Sequence, residues 1–239
     1  MKAKTEATQD KEQIKSRDRV VQKGEVFTNK REVDAMLDLV KEETDRIDSR
    51  FLEPACGDGN FLAEILRKKL DSVTKKCRTS QASWELGGAV AISSIYGVEI
   101  QEDNTEECRE RLFDVFNEEY YSRLFRSSTN EKYLSVIRFF LDTNIICGDA
   151  LSLLDKNGNP LTFAEWGFIK EKVQRRDFKL AGLLNESKDA YASAVTKEQR
   201  DSGMVSLFDD APEEDFENAG LVKENVYPLI NYMELGGSR

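Results

Sequence analysis

Residues 51–62 read Phe51-Leu52-Glu53-Pro54-Ala55-Cys56-Gly57-Asp58-Gly59-Asn60-Phe61-Leu62. The apolar start reads as a strand, the glycines as a turn, and Phe61, Leu62, Ile65, Leu66, Leu70 and Val73 recur at the spacing of an amphipathic helix. Upstream, Val33, Met36, Leu37, Leu39 and Val40 predict a helix that ends near Asp48-Ser49. Downstream, 76–82 is a polar connection and 84–94 a helix despite Gly87 and Gly88, since apolar positions continue through Ala89, Val90 and Ala91. Residues 95–100 predict a second strand. Residues 104–125 predict a long helix with Leu112, Phe113, Phe116, Tyr120 and Leu124 on one side. A shorter helix over 133–141 precedes a third strand over 144–149. Strands alternating with helices predict an α/β fold, a parallel sheet with helices packed on its faces.

The chain has 239 residues, with 35 basic against 45 acidic side chains and a formal net charge of -10. That balance disfavours a free-standing binder of a polyanion. Histidine is absent, which excludes Ser-His-Asp and Cys-His nucleophiles, histidine bases and imidazole-rich metal sites. Cys56, Cys77, Cys108 and Cys147 form no CxxC pair and read as reduced thiols. No 18-residue apolar run occurs and the N-terminus lacks a signal-like apolar core, so the expectation is a soluble, cytoplasmic protein without membrane contact.

Residues 1–20 are polar and charged and read as a flexible arm. The predicted domain spans 21–152. A basic and aromatic extension covers 153–184, opening on the turn cluster 154–160. Within it, 163–178, with Trp166, Arg175, Arg176 and Asp177, reads either as a contact for DNA phosphates or a partner, or as a solvated surface helix. Residues 185–219 end strongly acidic and read as a flexible linker, in which Val205-Ser206-Leu207-Phe208 suits a docking role. A C-terminal segment covers 220–239, with its final Gly-Gly-Ser-Arg reading as an appended remnant. No further strands of the parallel sheet are expected after Asp149.

Three acids fall at the carboxyl ends of the predicted strands. Glu53 precedes Gly57-Asp58-Gly59, where glycine lets a ligand approach the backbone. Glu99, in Gly97-Val98-Glu99-Ile100, stands where an acid accepts from vicinal ribose hydroxyls, with Ile100 beside it to flank a flat ring. Asp149, in Cys147-Gly148-Asp149-Ala150, stands where an acceptor for an exocyclic amine would, though aspartate also caps turns there. Each alone has an ordinary structural explanation. All three at one edge of one sheet point to a shared ligand.

These segments resemble a known family. Residues 51–62 are similar to the first motif of S-adenosylmethionine-dependent DNA adenine-N6 methyltransferases, 97–104 (GVEIQEDN) to their second and 144–151 (NIICGDAL) to their third. Residues 24–40 (GEVFTNKREVDAMLDLV) resemble the cofactor-binding segment that precedes the first motif, with Asn29 in place of the usual proline. The resemblance covers about half the chain, 24–151, and implies a Rossmann-like methyltransferase sheet, incomplete in this chain, that binds S-adenosylmethionine. By resemblance, Phe27, Thr28 and the Gly57-Asp58-Gly59 turn hold the amino-acid end of the cofactor, flanked by Ala55 and Asn60. Glu53 lies near its amino group, Glu99 takes the ribose, Ile100 packs on the adenine, and Asp149 with Ala150 meets the adenine amine. Phe61 either packs below the pocket or belongs to the core.

The family transfers its methyl group through an (Asn/Asp)-Pro-Pro-(Tyr/Phe) motif. Pro54, Pro160, Pro212 and Pro228 are the four prolines here and no two are adjacent, so no catalytic residue is assigned. Two expectations follow. One is the cofactor-binding subunit of a split methyltransferase of a restriction-modification system, a heteromeric complex in which a second subunit brings the Pro-Pro motif, the remaining strands and the DNA-recognition domain. The other is a non-catalytic methyltransferase-like regulatory or interaction protein, or a methyltransferase for a non-DNA acceptor. A dinucleotide-binding oxidoreductase fits less well, because Phe61-Leu62 stands where the third glycine of GxGxxG would be.

Overall fold

Phe51–Glu53 (β1), Ile95–Glu99 (β2) and Ile145–Cys147 (β3) form a parallel sheet in the order β1-β2-β3. Leu52 stands opposite Tyr96, and Val98 opposite Ile146. The computed structural model describes residues 30–77, 80–180 and 223–237. Lys30–Leu39 (α1) and Lys41–Asp45 (α2) precede the sheet. Asn60–Lys76 (α3) and Gln81–Ser93 (α4) connect β1 to β2; Glu102–Asp114 (α5), a π-helical segment Val115–Tyr121, Ser122–Leu124 (α6) and Glu131–Asn144 (α7) connect β2 to β3. The fold is therefore α/β with a parallel three-stranded sheet, as the alternation predicts.

The expectation of helices on both faces is corrected. Strands that follow one another in a single direction place successive right-handed crossovers on one face. Accordingly, position 97 of β2 faces α3, where a Cβ on Gly97 would lie 3.1 Å from Leu62 Cδ1. Tyr96 points the other way, onto a strand: its ring lies 5.6 Å from that of Phe163 and its hydroxyl donates to the Ala164 carbonyl at 2.9 Å.

Those partners belong to a second, antiparallel sheet, which corrects the surface-helix reading of the 153–184 extension. Thr162–Ile169 (β4) and Lys172–Lys179 (β5) form a hairpin, extended on β5 by Lys223–Val226 (β6) and Ile230–Asn231 (β7). Strands do follow Asp149, but not in the parallel sheet. The stretch 163–178 is a strand hairpin and not a surface helix. Trp166 is buried, donates its indole N–H to Asn144 Oδ1 at 2.9 Å and meets Phe140 edge-on at 4.8 Å. Arg175 is engaged by Asp177 at 2.6 Å.

The helix predicted from Val33 to the Asp48-Ser49 break is interrupted at Val40. The long helix over 104–125 is likewise not uniform. The π-helical segment shifts the phase of its face, so that Tyr121 is fully buried and stacks on Trp84 at 5.8 Å, whereas Leu124, expected inside, is 45% exposed. Tyr121 donates its hydroxyl to buried Glu85, and Tyr133 donates to the Glu85 carbonyl at 2.7 Å. Together these groups satisfy one buried polar cluster.

The C-terminal glycines are structural in part. Tyr232–Gly237 is a 3-10 turn with Tyr232 and Leu235 buried. A Cβ on Gly236 would lie 2.1 Å from Ser135 Oγ and 2.9 Å from the Val136 backbone nitrogen of α7. The serine can rotate; the backbone cannot. Gly236→Ala is thus expected to destabilise the protein by about 1 to 3 kcal/mol through overpacking. Urea unfolding checks this, and an unchanged midpoint would mean that the terminal turn does not depend on its seat against α7.

The arm 1–20, Phe27, Thr28 and the acidic linker with Val205-Ser206-Leu207-Phe208 lie outside the described residues. Among the described residues, no helix is long and apolar enough to cross a membrane.

Candidate functional site

The turn between β1 and α3 takes its shape from two glycines. Gly57 has φ 55° and Gly59 φ 86°, conformations that cost a side-chain-bearing residue free energy. Two backbone bonds close it, Cys56 N–H to the Val98 carbonyl at 3.0 Å and Gly59 N–H to the Cys56 carbonyl at 2.9 Å. The glycines differ in what surrounds them. A Cβ on Gly59 would lie 2.7 Å from Cys108 Sγ, whereas beside Gly57 nothing lies within 4 Å. Gly59 permits close packing on α5, and Gly57 borders open space. The adjoining N-terminus of α3 has no side-chain cap, leaving its first N–H groups and the positive end of its dipole at the turn.

Glu99 ties the strand ends together. Its buried carboxylate accepts from Gly57 N–H and from Gln101 N–H, both at 3.0 Å, while its carbonyl accepts from Gly148 N–H at 2.8 Å. Two acceptor oxygens with about two lone-pair sites each retain capacity beyond these two bonds. Ile100, 66% exposed, stands next to it.

The remaining predicted residues sort by environment. Glu53 is half-buried at the end of β1, and desolvation raises its carboxyl above the usual range against the opposing Ala55 N–H. Asp58, predicted to hold ligand, is buried and instead holds Arg111, whose Nη2 donates to Asp58 Oδ2 at 2.9 Å. Asp149 fills the turn-capping role: its Oδ1 accepts from Leu151 N–H at 2.8 Å, and this bond, with Ser152, holds its carboxyl below the usual range. Ala55 is exposed, Asn60 and Ala150 are half-buried, and Phe61 packs half-buried against the core. The structure thus gathers Glu53, Ala55, Gly57, Gly59, Asn60, Glu99, Ile100, Asp149 and Ala150 at the carboxyl edge of the sheet, and turns the Asp58 side chain onto α5.

Arg111, Gln101 and Cys108 were not expected here. Arg111 lies on the charged side of a helix, where spacing does not separate a surface arginine from one that reaches a loop. Cys56 offers no nucleophile: contact with the Cys108 thiol, then burial, pushes its thiol well above the usual range and keeps it protonated. No group of three or more cysteine or acidic side chains suits a metal ion among the described residues.

The arrangement suits a ligand with vicinal hydroxyls and a flat apolar ring. Glu99 has acceptor capacity for the first, Ile100 has an open side chain for the second, and Gly57 leaves room for the connecting part. No protein-family model, curated protein or solved structure matches this chain.

Proposed function

We propose that this chain is the S-adenosylmethionine-binding subunit of a split DNA adenine-N6 methyltransferase of a restriction-modification type, with a second subunit supplying the catalytic Pro-Pro motif and the DNA-recognition domain. The observation that carries the reading is the buried Glu99 carboxylate meeting the open Gly57 turn at the carboxyl edge of a parallel sheet, in the motif context described above. In this reading Glu99 receives the ribose hydroxyls, Ile100 flanks the adenine, Gly57 and the α3 N-terminus border the amino-acid end, and half-buried Glu53 stands near its amino group. Asp149 reaches the adenine amine from a turn it also caps. When bound, the cofactor supplies an electrophilic methyl group. DNA enters only through the complex.

Calorimetric titration with S-adenosylmethionine and S-adenosylhomocysteine tests the reading, and saturable heat is expected. Glu99→Ala should weaken binding by about 1.5 to 3 kcal/mol, the loss of hydrogen bonds to a charged acceptor. A folded protein that gives neither heat nor thermal shift at millimolar ligand would refute the cofactor assignment.

One observation favours the second reading, a non-catalytic methyltransferase-like interaction protein or a methyltransferase for another acceptor. The Tyr96 face, where a doubly wound sheet carries helices, is taken by the hairpin of this same chain. Under that reading the cofactor still binds, but no partner restores DNA methylation.

A further inference from the structure

We propose that Arg111 is the positioning residue of the glycine turn: a clasp from α5 that holds Gly57-Asp58-Gly59 in its ligand-accepting shape. Its relevance to S-adenosylmethionine rests on the function proposed above.

Arg111 reaches the turn at two points, with Nε donating to the Asp58 carbonyl at 2.7 Å and Nη2 to Asp58 Oδ2 at 2.9 Å. A planar guanidinium can make both bonds at once because its donors stand in a fixed fork. The Asp58 side chain is only 7% exposed and that of Arg111 35%, so the pair is screened less than a surface pair. Glu107, one turn earlier on α5, lies 3.7 Å from the same Nη2 and steadies the guanidinium.

Two further contacts make α5 and its leading residues a template for the turn. Cys108 Sγ lies 2.7 Å from where a Cβ on Gly59 would be, and Glu99, just before α5, accepts from Gly57 N–H. Gly57 and Gly59 both stand at positive φ, which glycine adopts about as readily as negative φ, so the contacts around the turn select its shape from the several open to a glycine pair. Glu99 restrains the first glycine, Cys108 packs on the second, and Arg111 grips the aspartate between them. Without the clasp, the buried Asp58 carboxylate loses its charged donor and the turn relaxes toward solvent.

The test reads the turn directly. Gly57 N–H donates to the Glu99 carboxylate and Gly59 N–H to the Cys56 carbonyl, so their amide exchange, followed by NMR in the full chain, reports the order of the turn. Leu66 and Leu70 in the buried face of α3 serve as the reference. Arg111→Ala should speed exchange at Gly57 and Gly59 by about tenfold or more and raise the dissociation constant for S-adenosylhomocysteine by a similar factor, with Leu66 and Leu70 unchanged. Arg111→Lys, which keeps the charge but lacks the fork, should fall between. Unchanged exchange at the two glycines, or an equal rise at Leu66 and Leu70, would overturn the clasp. If the wild type does not bind S-adenosylhomocysteine while the exchange result holds, the cofactor reading falls and the clasp stands.

Discussion

Lys69→Ala is expected to destabilise the protein by about 3 kcal/mol or more, through three lost charge-assisted hydrogen bonds and the cavity left behind. Lys69 is fully buried in α3, and its ammonium donates to the carbonyls of Arg46 at 3.2 Å, Ile47 at 3.0 Å and Ser49 at 2.6 Å. These carbonyls line the bend that carries the chain from α2 into β1, so one side chain fixes where the sheet begins. Lys69→Met keeps the stem volume and should cost less. Burial also pushes the ammonium down to about 7, with Asp48 and Glu43 opposing and Arg46 assisting. The folded-state value lies below the unfolded value of about 10.4, so between them the unfolded chain binds the extra proton and stability rises with pH. The rise runs from about pH 7 toward pH 10, where buried Tyr96 and Tyr121, whose hydroxyls burial raises, begin to reverse it. Urea unfolding at several pH values checks both claims. An unchanged midpoint in Lys69→Ala would show that the bend holds itself, and a slope identical in Lys69→Met would assign the pH dependence to other groups.

Lys69 illustrates what the sequence conceals. The strand-turn-helix order from 51 to 147 was legible because each strand is a short apolar run and apolar positions recur through the stretches between them, and the observed strands fall within the predicted runs. A lysine amid that periodicity reads as a surface residue, since spacing does not reveal a ring of carbonyls around it. The hairpin was hidden for a different reason. Its two-residue connection is Lys170-Glu171, with Lys170 at φ 55°, where glycine or asparagine is the usual signal. Its buried positions Phe163, Ala164 and Trp166 do not alternate strictly, so the stretch resembled a mixed surface segment. The π-helical segment left no trace either, because one extra residue per turn moves Tyr121 rather than Leu124 inward without changing composition. At the candidate site, acids and glycines at strand ends were legible as types in positions. That Asp58 would turn to Arg111 was not, because the arginine comes 53 residues later.

Purified alone, the chain is expected to transfer no methyl group to adenine, and mixing with a partner subunit that carries an Asn-Pro-Pro-Tyr motif should restore transfer. The chemistry needs an acceptor for the adenine amine and an aromatic platform for the flipped base, and flipping itself costs about a few kcal/mol that an extensive DNA interface must offset. The 239 residues contain no adjacent prolines and carry a net charge of -10, and the aromatic stretch that suggested a DNA contact has Trp166 buried against α7. A strand added by a partner would join an edge of the parallel sheet, which β1 and β3 bound. Directly after β3 the chain forms a folded loop: Asp149 bridges to Leu154, Leu154 to Pro160, and Leu161 fills the space beside Gly148. Among the described residues strand β1 pairs with β2 alone and leaves Leu52, Pro54 and Ala55 exposed, which is the edge that an added strand would cover. Charged substitution of Leu52 should therefore block restoration while leaving cofactor binding intact, and Asp149→Ala should depress it through weaker cofactor binding. Robust transfer of labelled methyl groups to adenine by this chain in the rigorous absence of a partner would overturn the split reading, because it would require an acceptor and a base platform within these residues.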